Sequence, residues 1–188
     1  SNASRGYESW SAMAEATGLP LPENPVLDAG EEEPAIRLHS KIIAENGYWT
    51  DVSSAQVGFV PVGKNAPEKL CFKRLDYLND YRYCIELLGT VYLGDGSSDT
   101  TAVNYFNKGA ALTWDCETYE MSNGCTALLP LCTSNPNSSP WSSCRAYFEK
   151  DGILYQLACT PVSNYFDGSV VTLDDCRATL RQVLDGFE

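Results

Sequence analysis

The sequence predicts an α+β protein made mainly of antiparallel β-sheet or a β-sandwich, with a helical arm at its N-terminus and a capping helix at its C-terminus. Most of the chain consists of short runs rich in aromatic and β-branched residues, which are typical of strands. An Asp-Gly pair at residues 151–152 separates two such runs and indicates a hairpin. The last residues carry an apolar stripe of helical period, and eight cysteines predict four disulfides.

Residues 1–34 are predicted to form an acidic, proline-rich arm. Residues 1–3 look like the scar of a protease cleavage after expression, which implies that a signal peptide was removed. A short helix is expected over residues 7–17, followed by an extended linker over residues 18–34 that prolines and glycines punctuate. The arm holds seven acidic residues against one arginine, so we expect it to be solvated. A pro-segment, or a strap that binds a partner, is the alternative.

Residues 35–100 are predicted to form a β-rich N-terminal domain. The apolar residues between Ala35 and Glu45 fit neither a strand period nor a helical period cleanly, and a helix is slightly favoured. The pair Asn46-Gly47 then marks a turn. Strands are predicted over residues 55–62, 69–74 and 81–93.

Residues 101–188 are predicted to form a β-rich, disulfide-bonded C-terminal domain, unless the whole chain folds as one domain. The boundary is expected between residues 94 and 109, in and after a polar loop. Strands are predicted over residues 110–119, 145–150 and 153–160. The serine-rich segment 132–144 is expected to be a surface loop with a cysteine at each end. Thr172 and Asp175 have the spacing of a capping box and predict the start of the last helix.

The cysteines are the strongest signal in the sequence. Their even number, and their absence from the first 70 residues, indicate four disulfides in a secreted protein. Sequence alone does not fix which cysteines pair, although local spacing suggests a set of partners. The suggested pairs are Cys71–Cys84, Cys116–Cys176, Cys125–Cys132 and Cys144–Cys159.

Other motifs for binding or modification are few. No two cysteines have the spacing of a zinc site and the single histidine, His39, is far from them in sequence, so we predict no metal and no cofactor. Residues 95–99 imitate the start of a calcium loop, but Phe106 stands where the bidentate acid would be, and a polar turn is expected. Asn137 begins an N-glycosylation sequon and is predicted to be an exposed glycosylation site.

No catalytic residue is predicted. A serine triad needs a histidine base, and the single histidine, His39, lies beside Ser40 in a weakly patterned segment. No serine in the chain is flanked by the glycines of a nucleophile elbow. A carboxylate-dependent hydrolase remains an alternative, because Asp115 and Glu117 share one face of a predicted strand near Glu120. The same alternation is also the expected outward pattern of a half-buried sheet.

Charge and hydropathy limit the partners of this chain. The net charge of −12 repels nucleic acid and anionic membrane surfaces, so we predict that neither is bound. No apolar run approaches the length of a transmembrane helix. A monomer is expected.

The segment Gly47-Tyr48-Trp49 supports a second alternative. A Gly-x-Trp near the first strand, followed by a strand-rich body and a C-terminal helix, resembles the lipocalin family. That resemblance implies a closed barrel that binds a small apolar ligand in its mouth. The chain departs from the family in lacking a recognisable second lipocalin motif and in carrying more cysteines than is usual there.

The general character of the chain resembles the small secreted cysteine-rich effectors of plant-pathogenic fungi. The resemblance rests on the proline-punctuated arm before a cysteine-rich body, the even number of cysteines, the length of 188 residues and the lack of a catalytic motif. It implies a secreted, non-enzymatic virulence factor that binds, or is recognised by, a host or extracellular protein. Trp141 and Tyr147 are the candidate partner-binding residues, with core packing as the alternative for Tyr147.

Overall fold

A computed structural model of the protein describes residues 4–31, 35–42, 48–53, 56–60, 69–92, 114–132, 144–162 and 171–188, with side chains within 5–31, 72–90, 117–129, 144–162 and 171–188. The described ranges contain ten strands and three helices. The strands are β1 (Ser4–Tyr7), β2 (Ala35–Ile42), β3 (Tyr48–Ser53), β4 (Gln56–Val60), β5 (Lys69–Leu78), β6 (Tyr83–Tyr92), β7 (Trp114–Glu120), β8 (Thr126–Cys132), β9 (Arg145–Lys150) and β10 (Ile153–Pro161). The helices are α1 (Trp10–Thr17), α2 (Pro25–Asp28) and α3 (Leu173–Gly186).

The described strands form one antiparallel sheet in the order β1-β2-β5-β6-β10-β9-β8-β7-β4-β3. The centre of the sheet consists of six strands in the order β5-β6-β10-β9-β8-β7. These six include the hairpins β5–β6, β7–β8 and β9–β10. Because β6 pairs with β10, strands from both predicted halves share the sheet. The boundary predicted between residues 94 and 109 lies outside the described residues. The α+β class, with an antiparallel sheet and a C-terminal helix, is confirmed.

The turn at Asp151-Gly152 joins β9 to β10 as predicted. Both residues have a positive φ, 52° and 78°, which a two-residue hairpin turn of type I′ requires. Aspartate tolerates this left-handed conformation and glycine adopts it without steric cost. Ile153 therefore pairs with Lys150, and β10 alternates buried with partly buried residues as a half-buried strand should.

Helix α1 positions two core residues at the start of the chain. The Ser9 side chain accepts a hydrogen bond from the Ala12 N–H at 3.0 Å and caps the helix. Gly18, with a φ of 70°, ends it where the sequence predicted. Between these caps the side chains of Trp10 and Met13 are buried in the core.

Helix α2 lies inside the predicted linker, so the prediction of an extended linker is wrong there. The Asn24 side chain caps α2 by accepting a hydrogen bond from the Leu27 N–H at 3.1 Å. Its Nδ2 atom donates to the Val183 carbonyl oxygen of α3 at 2.9 Å. Since both Asn24 and Leu27 are fully buried, this single side chain ties the N-terminal segment to the last helix.

The prediction of a solvated arm is wrong for the apolar side of residues 4–31. Trp10, Met13 and Leu27 are 3%, 0% and 1% exposed and belong to the core. The acidic residues of the segment lie on its solvent side: Glu8, Glu15, Glu23, Asp28 and Glu31 are all exposed. A count of charges describes the exposed face of such a segment and says nothing of its buried face.

A buried ion network joins the N-terminal segment to β5. Arg74 is fully buried and donates from Nε and Nη2 to the two carboxylate oxygens of Asp76, at 2.8 and 3.1 Å. Its Nη2 atom also donates to Asp28 at the end of α2, at 2.6 Å. The Trp10 ring lies 5.3 Å from the guanidinium carbon, which adds a cation–π contact. Arg74 is thus the point where α1, α2 and the sheet meet.

The core beside this network depends on one glycine. Phe72 lies directly opposite Gly89 on the neighbouring strand. Its ring covers the glycine so closely that a Cβ atom at position 89 would lie 1.9 Å from a ring carbon. Trp10 and Tyr155 contact the same ring edge-on, with centroids 5.5 and 6.1 Å away, and fix its position.

Strand β2 replaces the helix that was slightly favoured over residues 35–45, so that prediction is wrong. The backbone of β2 pairs with β1 on one side and with β5 on the other. These partners are remote in sequence, and a local hydrophobic period does not contain them. Strand β4 falls within the predicted strand 55–62, whereas β3 was not predicted.

Helix α3 begins at the predicted capping box. The Thr172 side chain accepts a hydrogen bond from the Asp175 N–H at 3.1 Å, and the Asp175 carboxylate accepts one from the Thr172 N–H at 2.9 Å. The apolar stripe of the helix is buried, and the helix packs against β10. The predicted C-terminal capping helix is therefore confirmed.

Candidate functional site

The turn between β5 and β6 has an unusual backbone. Three consecutive residues other than glycine, Asn79, Asp80 and Tyr81, have φ angles of 54°, 56° and 60°. Each such residue places its Cβ atom close to the backbone, and this conformation is uncommon outside glycine. Strained backbone of this kind persists where surrounding contacts hold it, and it concentrates at binding sites.

Contacts from three parts of the chain hold this turn. The Asp80 N–H donates to the Glu31 carboxylate at 3.0 Å, and the Glu31 N–H donates to the Tyr77 carbonyl oxygen at 3.0 Å. The Arg82 N–H donates to the Leu78 carbonyl oxygen at 3.1 Å, and the Val162 N–H donates to the Arg82 carbonyl oxygen at 2.9 Å. The turn is therefore fixed by the N-terminal segment and by the end of β10, besides its own strands.

Tyr81 presents an aromatic ring to solvent from this turn. Its side chain is 37% exposed, and it is the one large hydrophobic residue classed as exposed within the described part of the chain. Its ring lies 5.7 Å from that of Tyr77, so the two tyrosines form one aromatic surface. We call Tyr77 together with residues 79–82 the aromatic tip. Tyrosine combines a large apolar ring with a polar hydroxyl, which suits it to contact with other proteins.

The two predicted partner-binding residues lie elsewhere. Trp141 and the glycosylation site Asn137 fall outside the described residues. Tyr147 lies in β9, is 5% exposed and pairs with Leu128 of β8, which fits the alternative of core packing. Tyr81 was assigned to a strand that actually begins at Tyr83. The signal for the turn was the Asn79-Asp80 pair, since both residue types tolerate the left-handed conformation.

Two of the suggested disulfide pairs are ruled out by strand geometry. Cys71 pairs with Thr90 across the β5–β6 hairpin, which places it six residues, or about 20 Å, from Cys84 along the strands. Cys125 immediately precedes the extended strand β8 and Cys132 ends it, so the two lie about 23 Å apart. A disulfide needs Cα atoms within about 7 Å, so both pairings are wrong.

The remaining cysteines give a mixed result. The structure describes five of them, Cys84, Cys125, Cys144, Cys159 and Cys176, as free thiols, and no two of these lie at disulfide distance. The suggested pair Cys144–Cys159 is therefore wrong as well, and the prediction of four disulfides is not met among the described side chains. The side chains of Cys71, Cys116 and Cys132 lie outside that part of the structure.

The predicted carboxylates do not meet in a catalytic pair within the described side chains. Both oxygens of Glu117 accept hydrogen bonds from Arg181 of α3, at 3.0 and 3.1 Å. Glu120 accepts a hydrogen bond from the Thr126 hydroxyl at 2.9 Å. The side chains of Asp115 and His39 are not among those described. Glu117 thus serves to attach the last helix to β7.

Asp185 attaches the end of α3 to the β7–β8 hairpin. Its carboxylate accepts hydrogen bonds from the Tyr119 hydroxyl and, at 2.9 Å, from the Ser122 N–H. Arg181, one turn earlier, lies 5.9 Å from the centre of the Tyr119 ring. The hydrogen bond from Tyr119 is the main cause that holds the pKa of Asp185 below its usual range.

Replacing Asp185 with asparagine should reduce the loss of stability in acid. Because the folded-state pKa of Asp185 is lower than the unfolded value of about 3.9, the unfolded chain binds more protons in this range. Its contribution is therefore present above about pH 4 and is lost as the pH falls through the folded-state pKa. Urea unfolding at a series of pH values down to about pH 2 measures this dependence.

The matched control for this experiment is Asp174→Asn, which changes an exposed carboxylate in the first turn of the same helix. Some acid dependence should survive in Asp185→Asn, because hydrogen bonds with the Thr172 backbone and side chain lower the pKa of Asp175 as well. A pH dependence equal to that of the control variant would show that the contacts of Asp185 contribute nothing to stability.

Three further observations concern the described residues. Within the described ranges, no group of three histidine, cysteine, aspartate or glutamate residues is placed to hold a metal ion. No helix in the same ranges is long and apolar enough to cross a membrane. The strand order also differs from that of an up-and-down barrel such as a lipocalin, because β6 pairs with β10 and β4 with β7 rather than with their neighbours in sequence.

Known proteins do not supply a family for this chain. No protein-family model, no curated protein and no solved structure matches it. A function can therefore be argued only from its own residues, and the aromatic tip is the described surface that offers a recognition element.

Proposed function

We propose that this protein is a secreted, non-enzymatic recognition protein that binds a host or extracellular protein through the aromatic tip. The observation that carries the proposal is the exposure of Tyr81 on a strained turn. This turn is held in place by hydrogen bonds with other parts of the chain. Tyrosine is among the residues that most often dominate the energy of protein–protein interfaces. The secreted location is inferred from the cysteine content and from the resemblance to fungal effectors.

The way the tip is held favours tight binding. An interface residue on a mobile loop loses conformational entropy when it binds, at a cost of about 0.5–1.5 kcal/mol for each side chain that becomes ordered. At the tip, Glu31 and Val162 already fix the backbone on either side of Tyr81. The Tyr77 ring lies beside Tyr81 and widens the surface that a partner can contact.

Charge indicates the kind of surface that the partner offers. The chain carries a net charge of −12, and beside Tyr81 the acidic Asp80 and Glu31 are exposed together with one cation, Arg82. A basic surface around an apolar pocket would be attracted by this charge and would accept the tyrosine ring. The proposed partner is therefore a protein with a basic rim around a pocket for an aromatic side chain.

Photo-crosslinking tests this proposal directly. The side chain of Tyr81 is replaced by a photoreactive phenylalanine analogue, and the protein is irradiated in extracellular fluid from plant leaves. The matched control carries the same analogue at Glu149, an exposed position in β9. We expect a crosslinked host protein that is specific to position 81 and that an excess of the unlabelled protein displaces.

Two outcomes would contradict the proposal. Crosslinking at position 81 and at position 149 to the same set of proteins would show that the tip has no preferred partner. A crosslink from position 81 to a second copy of this chain would contradict both the expected monomer and the assignment of the tip to another protein.

A further inference from the structure

Three cysteines meet between the sheet and the last helix. Cys144 immediately precedes β9, Cys159 lies in β10 and Cys176 lies in the first turn of α3. All three side chains are 0% exposed. We call Cys144, Cys159 and Cys176 the thiol cluster. It joins three elements that are distant in sequence, and none of the suggested pairings linked Cys176 to either of the other two.

Cys176 lies at the centre of the thiol cluster. A hydrogen bond with Cys176 is the largest cause that raises the pKa of Cys144, and one with Cys159 is among the causes that raise the pKa of Cys176. The Cys144 sulfur contacts the first residue of α3 as well, at 3.8 Å from the Leu173 carbonyl oxygen. The helix thus brings the Cys176 sulfur to both strand cysteines, and it places Cys144 against two residues of its first turn.

Cys144 and Cys159 are poorly placed to bond with each other. They lie opposite one another where β9 and β10 meet, and the Cys159 N–H donates to the Cys144 carbonyl oxygen at 2.9 Å. In such a directly opposed pair the Cβ atoms are about 4.5–5.5 Å apart, and the hydrogen-bonded kind is the wider one, whereas a disulfide needs about 3.5–4.5 Å. Closing that gap would require a change in the sheet. Cys176 approaches from the helix, whose first residue already contacts the Cys144 sulfur.

We propose that Cys144 and Cys176 form a disulfide that fastens the start of α3 to β9, and that Cys159 remains a thiol beside it. The oxidant is an external disulfide of low molecular weight. One cysteine thiolate attacks it, forms a mixed disulfide and releases one small thiol. The second cysteine thiolate then attacks the protein sulfur of the mixed disulfide and releases the other small thiol. Two protein S–H bonds are lost, one S–S bond forms, and the external disulfide is reduced to two thiols.

The bond forms while the chain folds. In the packed protein Cys144 and Cys176 are fully buried, and their hydrogen bond and burial raise the pKa of Cys144 far above its usual value. The hydrogen bond from Cys144 lowers the pKa of Cys176, but the hydrogen bond to Cys159 and burial raise it to about 12. A thiol of this kind reacts slowly with external reagents, so oxidation takes place before the helix covers the sheet.

The third sulfur gives the cluster a second possible bond. A Cys159 thiolate can attack Cys176 in the Cys144–Cys176 disulfide, form a Cys159–Cys176 disulfide and release the Cys144 thiolate. This exchange consumes no oxidant. Eight cysteines can form at most four disulfides. Because Cys159 remains a thiol, the chain forms fewer than four. This assignment is independent of the aromatic tip.

Peptide mapping of the refolded full chain tests the assignment. The reduced chain is refolded with reduced and oxidised glutathione, free thiols are alkylated after denaturation, and the protein is digested without reductant. We expect a Cys144–Cys176 linked peptide and an alkylated Cys159. A Cys144–Cys159 link, a Cys159–Cys176 link with an alkylated Cys144, a link from any of the three to a cysteine outside the cluster, or alkylation of all three would overturn the proposal.

Serine variants test the arrangement of the three sulfurs. Cys159→Ser should keep the Cys144–Cys176 link, since Cys159 takes no part in it. Cys144→Ser should shift the link to Cys159–Cys176, whereas two free thiols in this variant would contradict the contact between those sulfurs. If the serine variants fail to fold, the map of the unaltered chain decides the assignment alone.

Discussion

Replacing Arg74 with methionine should lower the free energy of unfolding by about 3–5 kcal/mol. The substitution leaves the Asp76 carboxylate, which is 1% exposed, without the guanidinium that donates two hydrogen bonds to it. It also breaks the contact of Arg74 with Asp28 and the cation–π contact with Trp10. Urea unfolding monitored by tryptophan fluorescence and by circular dichroism measures the loss.

The preceding residue of β5 provides the matched control for this variant. Lys73 forms an ion pair with Glu86 at 3.2 Å, but both side chains are more than 40% exposed. Lys73→Ala should therefore cost no more than about 1 kcal/mol. A double variant, Arg74→Met with Asp76→Leu, should recover part of the loss because it removes the stranded carboxylate too. An Arg74→Met variant no less stable than Lys73→Ala would show that the buried network does not hold the N-terminal segment to the sheet.

Replacing Trp10 with alanine should lower the free energy of unfolding by about 3–5 kcal/mol. The indole ring is 3% exposed, packs edge-on against Phe72 and covers Arg74. Its Nε1 atom donates to the Pro22 carbonyl oxygen at 2.7 Å, so the ring also fixes the chain between α1 and α2. Removing it opens a cavity at the junction of the helices and the sheet.

A phenylalanine at position 10 separates packing from hydrogen bonding. Trp10→Phe keeps an aromatic ring against Phe72 but loses the hydrogen bond to Pro22, and it should cost clearly less than Trp10→Ala. Both are measured by urea unfolding under the same conditions. A loss below about 1 kcal/mol in Trp10→Ala would mean that residues 4–31 lie on the core without contributing to it.

These two predictions also concern the role of residues 4–31. The sequence left open a solvated arm, a pro-segment or a strap for a partner. In the structure the segment supplies Trp10, Met13 and Leu27 to the core, and Asn24 bonds to α3. It also supplies Glu31, which holds the Asp80 backbone in the aromatic tip. Loss of this segment should therefore disturb both the stability of the fold and the shape of its proposed binding site.

The sequence predicted those parts of the fold that local chemistry specifies. The Asp151-Gly152 turn and the capping box of Thr172 and Asp175 depend on a few neighbouring residues, and both were found where predicted. Strand β2 was missed because its partners, β1 and β5, are distant in sequence. The burial of Arg74 likewise depends on α2 and Trp10, which no local pattern places beside it.

The candidate site was predicted less well, also for physical reasons. Cysteine spacing in sequence suggested Cys71–Cys84 and Cys125–Cys132, but extended strands hold each pair about 20 Å or more apart. The burial of Cys176 beside the strand cysteines depends on how α3 packs against β10. Tyr81 was assigned to a strand because it begins an aromatic run, although Asn79 and Asp80 before it are residues that favour a turn.

One measurement tests the central claim most directly. It is the affinity of the aromatic tip for the protein that crosslinks to it. The wild type, Tyr81→Ala and the control Glu149→Ala are titrated against that purified protein by calorimetry, after urea unfolding has shown that all three are equally stable. If Tyr81 is the anchor, its removal should weaken binding by about 30-fold or more, whereas the control should bind like the wild type. Binding by Tyr81→Ala within about twofold of the control would contradict recognition through the tip.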